Sequence, residues 1–165
     1  MLASSPPRGL LEIALKLPRW LYRLHVGWLL GHRFLQLTHR GRRSGRLYST
    51  VLEVVHYDPK TGESVVVSGW GDRSDWYQNL QQSPALAIET GGKRYVPVQR
   101  FLTPGEIYQV MRGYQRRNPW AAGIVRRLFG LRFDGSDTAL SRIQTLRGVV
   151  FRPASAPSDP SKWTA

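Results

Sequence analysis

Between Thr38 and Arg46 the chain reads Thr-His-Arg-Gly-Arg-Arg-Ser-Gly-Arg, with four arginines and two glycines close together. Glycine reaches backbone conformations that turn successive N–H groups toward one concave face. Arginine adds planar, bidentate donors that never lose their charge. A loop of this composition suits a phosphate or a carboxylate. It also suits a solvated hairpin tip, because charge runs usually face water, and composition alone leaves both readings open. The flanks Phe34-Leu35-Gln36-Leu37 and Leu47-Tyr48-Ser49-Thr50-Val51-Leu52 are rich in strand formers, so the loop is expected to join two strands.

The rest of the chain narrows the chemistry. There is no cysteine, which excludes disulfides, thiolate zinc sites, iron–sulfur ligation and a cysteine nucleophile. The histidines are His25, His32, His39 and His56, and no carboxylate is spaced beside them as a metal set requires. They read as structural or surface residues, and no metal site is expected. Lys+Arg number 24 against 11 Asp+Glu, a net charge of +13, so the partner is expected to be anionic. A nucleic acid, an acidic membrane surface and a polyanionic cofactor all satisfy that. No signal peptide is visible at the start, and a reducing cytoplasm suits the absence of cysteine.

The length of 165 residues fits one domain with a real core. Residues 1–8 read as a tail, 9–153 as the domain and 154–165 as a second tail. From Gly9 to Leu30, apolar residues recur at three- and four-residue steps with Lys16, Arg19 and Arg23 between them. This amphipathic helix either packs on the domain, the commoner use of a single apolar stripe, or lies on an anionic membrane such as the inner face of the plasma membrane. Strands are then expected over Leu47–Tyr57, Ser64–Ser68, Ala85–Glu89, Arg94–Leu102 and Arg147–Arg152, with Pro97 marking an edge or bulge. A short helix should run from Asp75 to Gln82, stopped by Ser83-Pro84. Thr103-Pro104-Gly105-Glu106 forms a capping box that opens a helix to about Arg117, with Ile107, Val110, Met111 and Tyr114 facing inward. Trp120–Leu128 reads as a further helix and Phe129–Ser141 as loop. Strands joined by short turns predict an α+β chain built on a small antiparallel barrel, not a doubly wound sheet.

Three segments carry a family resemblance. Leu37-Thr38-His39-Arg40-Gly41-Arg42-Arg43-Ser44-Gly45 is similar to a basic turn, Val65 to Gly71 to a strand followed by glycine, and Asp75-Trp76-Tyr77-Gln78-Asn79-Leu80-Gln81-Gln82-Ser83-Pro84 to a tryptophan-to-proline motif. In that order and spacing they resemble the deazaflavin-dependent nitroreductase family. The resemblance implies a split β-barrel of the FMN-binding type, coenzyme F-420 (an 8-hydroxy-5-deazaflavin) as cofactor, a small organic acceptor such as a quinone, nitro compound or enone, and a homodimer. It implies that Arg42, Arg43, Ser44 and Gly45 hold the phosphate, with Arg40, Gly41 and Arg46 beside them. The ring is then expected near Ser49, Thr50 and Val51 and near Ser68, Gly69 and Trp70, with Trp76 as a wall and Asn79 fixing the backbone.

The coenzyme brings the hydride, so no acid–base pair is required of the protein. Tyr114 and Ser68 are the hydroxyls considered as catalytic proton donors. Three other readings fit part of the sequence: a non-catalytic carrier of the same coenzyme, an FMN-dependent oxidase on the same barrel, and a basic nucleic-acid module. The last is not expected, because the chain shows no recognised nucleic-acid motif.

Overall fold

The computed structural model describes residues 31–119, 123 and 143–154. The expected amphipathic segment 9–30, most of the expected helix 120–128, the loop 129–141 and the terminal tails lie outside these residues.

Seven strands and two α-helices make up the described chain: β1 (Phe34–Arg40), β2 (Leu47–Asp58), β3 (Glu63–Ser68), α1 (Asp75–Gln82), β4 (Ala87–Thr90), β5 (Lys93–Tyr95), β6 (Pro97–Phe101), α2 (Pro104–Arg117) and β7 (Arg147–Pro153). The sheet order is β5-β4-β1-β2-β3-β7-β6, and every pairing is antiparallel. Only Val96 separates β5 from β6, which form the two edges of this order. One bent strand therefore supplies both edges, and the sheet nearly closes into a split barrel. The break falls where the sequence places Pro97, which has no N–H to donate to a ladder. On the opposite side β2 links the halves. Its first part pairs with β1 and its last part with β3, with a register shift between Val54 and His56.

Alternation along the strands builds two cores. Leu35, Leu37, Val66, Val149 and Phe151 pack inside the barrel with Trp76, Tyr77 and Leu80 of α1. Val65 and Val150, one residue out of phase, face the other way and meet Ile107, Val110, Met111 and Tyr114 of α2. The four residues expected to face inward from α2 do so. Each such buried side chain contributes about 1.5–3 kcal/mol.

The capping box forms as expected. The Glu106 N–H donates to Thr103 Oγ1 at 3.3 Å, and the Thr103 N–H donates to Glu106 Oε2 at 2.7 Å. Arg100 adds a bond to Glu106 Oε1 at 2.8 Å. Burial pushes the Glu106 carboxyl up, but the Thr103 N–H, Arg100 and the Thr103 hydroxyl together outweigh it and hold the group below its ordinary 4.5. A carboxylate held low in the folded state stabilises the fold above its ordinary value, and that share is lost as pH falls through the lowered one. Thr103→Ala is expected to cost about 1 kcal/mol in denaturant melts. Glu106→Gln should flatten the acid limb of the stability curve. An unchanged acid limb in that variant would contradict the assignment.

Candidate functional site

The loop between β1 and β2 stands over the N-terminal half of α1. Together they enclose a groove of about 490 Å³ lined by His39, Gly41–Ser44, Tyr48–Val51, Asp75, Trp76 and Asn79. The loop is closed at its base, where the Gly41 N–H donates to the Arg46 carbonyl and the Gly45 N–H to the Gly41 carbonyl, both at 2.8 Å. Gly45 sits at φ +66, a left-handed conformation that glycine adopts without strain. Gly41 is tight in a different way. A Cβ there would stand 2.6 Å from the Tyr48 ring and 2.7 Å from Ser44 Oγ.

The four arginines of the loop have separate fates. Arg40 folds back and donates to the Gly45 carbonyl at 2.9 Å. Arg42 turns under the loop, where its Nη1 donates to Asp75 Oδ1 at 2.9 Å and to Asn79 Oδ1 at 3.1 Å. Arg46 is exposed and lies off the groove lining. Arg43 is exposed, lines the groove and has no ion-pair partner among the described residues. It is the cation the loop leaves available for a ligand.

Asn79 is the residue on which the loop rests. It is 3 % exposed, one turn along α1 from Asp75. Its Oδ1 accepts the backbone N–H of Arg42 at 2.9 Å. Its amide nitrogen lies 3.0 Å from His39 Nδ1, and His39 Nε2 lies 3.2 Å from Thr50 Oγ1. His39 continues the inward face of Leu35 and Leu37 and is buried. Burial holds its pKa below the ordinary 6.5 and outweighs the opposing pull of Asp75. A histidine disfavoured as a cation in the folded state leaves stability complete above 6.5 and removes it as pH falls through the lowered value.

The residues expected from sequence therefore separate. Gly41, Arg42, Arg43, Ser44, Ser49, Thr50, Val51, Trp76 and Asn79 come together around the groove. Arg40, Gly45 and Arg46 shape the loop without lining the groove. Ser68, Gly69 and Trp70 lie off the lining as well. The Ser68 hydroxyl bonds to Ser74 Oγ and donates to the Gly71 carbonyl at 3.3 Å, so it holds the turn into α1. Tyr114 lines a second cavity of about 300 Å³ with Arg33, Glu53, His56 and Arg117, and its hydroxyl donates to Glu53 Oε1 at 2.7 Å. Burial and that carboxylate push the Tyr114 phenol well up and keep its proton in place.

Three groove residues were not singled out from sequence: His39, Tyr48 and Asp75. The signal for His39 was the alternation Leu35, Leu37, His39, which puts it on the inward face. Among the described residues no three His, Asp or Glu side chains gather as a metal set.

The groove's composition is that of a site for a flat, anionic ligand. The lining combines the Arg43 guanidinium and the basic loop with the Trp76 and Val51 side chains and the hydroxyls of Ser49 and Thr50. Comparison with protein families matches residues 16–122 to the F420H(2)-dependent quinone reductase family. Among solved structures the chain is similar to an F420-H2 dependent reductase, FDR-A, with 18 % identity, 73 % of this chain and 95 % of that one covered, and a TM-score of 0.48. It is also similar to a pyridoxamine 5'-phosphate oxidase-related, FMN-binding protein from Nostoc punctiforme, with 18 % identity, 92 % and 82 % covered, and a TM-score of 0.44. No curated protein matches. The family match spans more than half of the chain, and on it the chain belongs to the F420H(2)-dependent quinone reductases, oxidoreductases that use coenzyme F-420.

Proposed function

We propose that this chain reduces a quinone with the reduced coenzyme, and that the groove between the basic loop and α1 is where the coenzyme lies. The observation that carries this reading is Arg43, which has no ion-pair partner among the described residues and lines a groove shared with Trp76, Val51 and the hydroxyls of Ser49 and Thr50. Coenzyme F-420 has a phosphate and a glutamate tail at one end and a flat deazaflavin at the other, so the donor set fits it. Arg43 and the loop would hold the anionic part. Trp76 and Val51 would wall the ring and keep water from it. Arg42 is already committed to Asp75 and Asn79, so it positions the loop. The bound coenzyme supplies the hydride, and the protein supplies orientation and a dry surface.

Arg43→Ala is expected to weaken binding of the oxidised coenzyme by about tenfold or more, since a charge-assisted bond contributes roughly 1.5–3 kcal/mol. Its melting temperature should stay unchanged. Full affinity in that variant would remove the loop from the coenzyme site.

In this reading the basic amphipathic segment 9–30 lies on the inner face of the plasma membrane and brings the chain to a quinone held there. Deleting residues 1–31 should then lower turnover of a quinone in anionic vesicles and spare that of a water-soluble one. A homodimer belongs to the same reading and is checked by light scattering.

A further inference from the structure

We propose that His39 is a positioning residue, which fixes the Thr50 hydroxyl as a hydrogen-bond donor aimed at the coenzyme through a one-way chain that begins at Arg42. The proposal rests on the reading that the groove holds the coenzyme.

The direction of the chain follows from its first member. Two N–H groups of Arg42, one backbone and one side-chain, donate to Asn79 Oδ1 at 2.9 and 3.1 Å. That settles which end of the amide is oxygen. The amide nitrogen then faces His39 Nδ1 at 3.0 Å and donates to it. Nδ1 therefore carries no proton, and the neutral imidazole has its hydrogen on Nε2. Nε2–H donates to Thr50 Oγ1 at 3.2 Å. With its oxygen accepting from His39, Thr50 turns its own hydrogen elsewhere, and among the described residues the hydroxyl has no acceptor. Thr50 lines the groove, so the hydrogen is available to an acceptor atom of the ligand, a carbonyl oxygen or an unprotonated ring nitrogen.

The chain also ties the loop to Thr50 in the groove lining. A second proton on His39 would sit on Nδ1, directly against the Asn79 amide hydrogens. Relief requires the amide to turn over, and its oxygen then leaves Arg42. Among the described residues the imidazole meets the Asn79 amide from α1 and the Thr50 hydroxyl and stacked Tyr48 ring from β2, and it feels the charge of Asp75, while Arg42 stands behind Asn79. Asp75 is the only anion among them and is held by Arg42 at 2.9 Å. The buried ring thus stays neutral at ordinary pH, and acid breaks both holds at once.

The test is fluorescence titration with oxidised coenzyme F-420 across pH, for the full chain and for Thr50→Val, His39→Gln and the double variant, together with nitrogen-15 NMR of the His39 ring. Thr50→Val is expected to bind about fivefold to tenfold more weakly. His39→Gln should lose a similar factor, and the double variant should be no weaker than either single one, because one chain is cut twice. Affinity of the full chain should fall below pH 6.5 by an extra factor that His39→Gln does not show. Titration of the coenzyme itself is common to both proteins and cancels. NMR should find Nε2 protonated and Nδ1 bare. Undiminished binding by Thr50→Val, additive losses, or a proton on Nδ1 at neutral pH would each overturn the proposal while leaving the coenzyme site intact. A full chain that binds no coenzyme at any pH removes the site reading and this inference with it.

Discussion

Asn79→Leu is expected to cost the free protein about 2–4 kcal/mol and to weaken coenzyme binding about thirtyfold or more. Leucine keeps the volume inside α1 but makes none of the bonds. The Arg42 N–H and His39 Nδ1 are left buried and unpaired, and each such group costs about 1–3 kcal/mol. The loop is then no longer held over the groove, so the coenzyme must order it on binding. Chemical denaturation and fluorescence titration read the two effects separately. Asn79→Asp is the informative partner. Its carboxylate still accepts from Arg42 but has no N–H for His39, and the ring regains balance by taking a proton on Nδ1. The His39 pKa, lowered in the native chain, should then be raised. That variant gains stability from His39 below 6.5 and loses it as pH rises through the raised value. A histidine that titrates identically in both proteins would disconnect Asn79 from it.

Gly71→Ala is expected to destabilise the fold by roughly 3 kcal/mol, lowering the melting temperature by about 6–12 °C. Gly71 has φ +56, and a Cβ there would stand 2.0 Å from the backbone carbonyl oxygen of Thr145. Neither the backbone oxygen nor the turn can yield cheaply. Next to it, Arg147 grips both carboxylate oxygens of Asp72 at 2.7 and 2.8 Å and so fastens the start of β7 to the turn that launches α1. Displacing this turn moves Trp76 and Asn79 with it, and coenzyme affinity should fall together with stability. Gly105→Ala, where an added Cβ meets nothing, serves as the control and should leave affinity unchanged and stability unchanged or slightly raised.

Much of this fold was legible because its signals are local. Leu35 and Leu37 alternate as a half-buried strand must, and they bury in one core. Ser83-Pro84 stops α1 where its sequence says it should, at Gln82. The capping box names its own helix. The strand expected over Arg94–Leu102 was divided at Val96, because Pro97 and the closing bend act at the same place.

The groove was legible only in part. The basic loop and the tryptophan helix could each be read, yet the bond between Arg42 and Asn79 joins residues 37 positions apart and leaves no local trace. His39 looked like an ordinary strand residue because burial and two exact partners decide its role, and neither is written at that position. Tyr114 was correctly expected to face inward, but periodicity does not say which core a helix faces. α2 packs outside the barrel, so the phenol meets Glu53 instead of the groove. Ser68 ends its strand as expected, and the turn that follows takes its hydroxyl.

The central claim is that the groove beside Arg43 is built for coenzyme F-420. The most direct measurement is titration of the purified full chain with oxidised coenzyme F-420, followed by tryptophan fluorescence, with FMN in parallel and Arg43→Ala as the comparison. Saturable binding to the deazaflavin, weaker binding to FMN and a loss of about tenfold in Arg43→Ala are the predicted results. FMN binding as tight as that of the deazaflavin, or deazaflavin binding indifferent to Arg43, would contradict the claim.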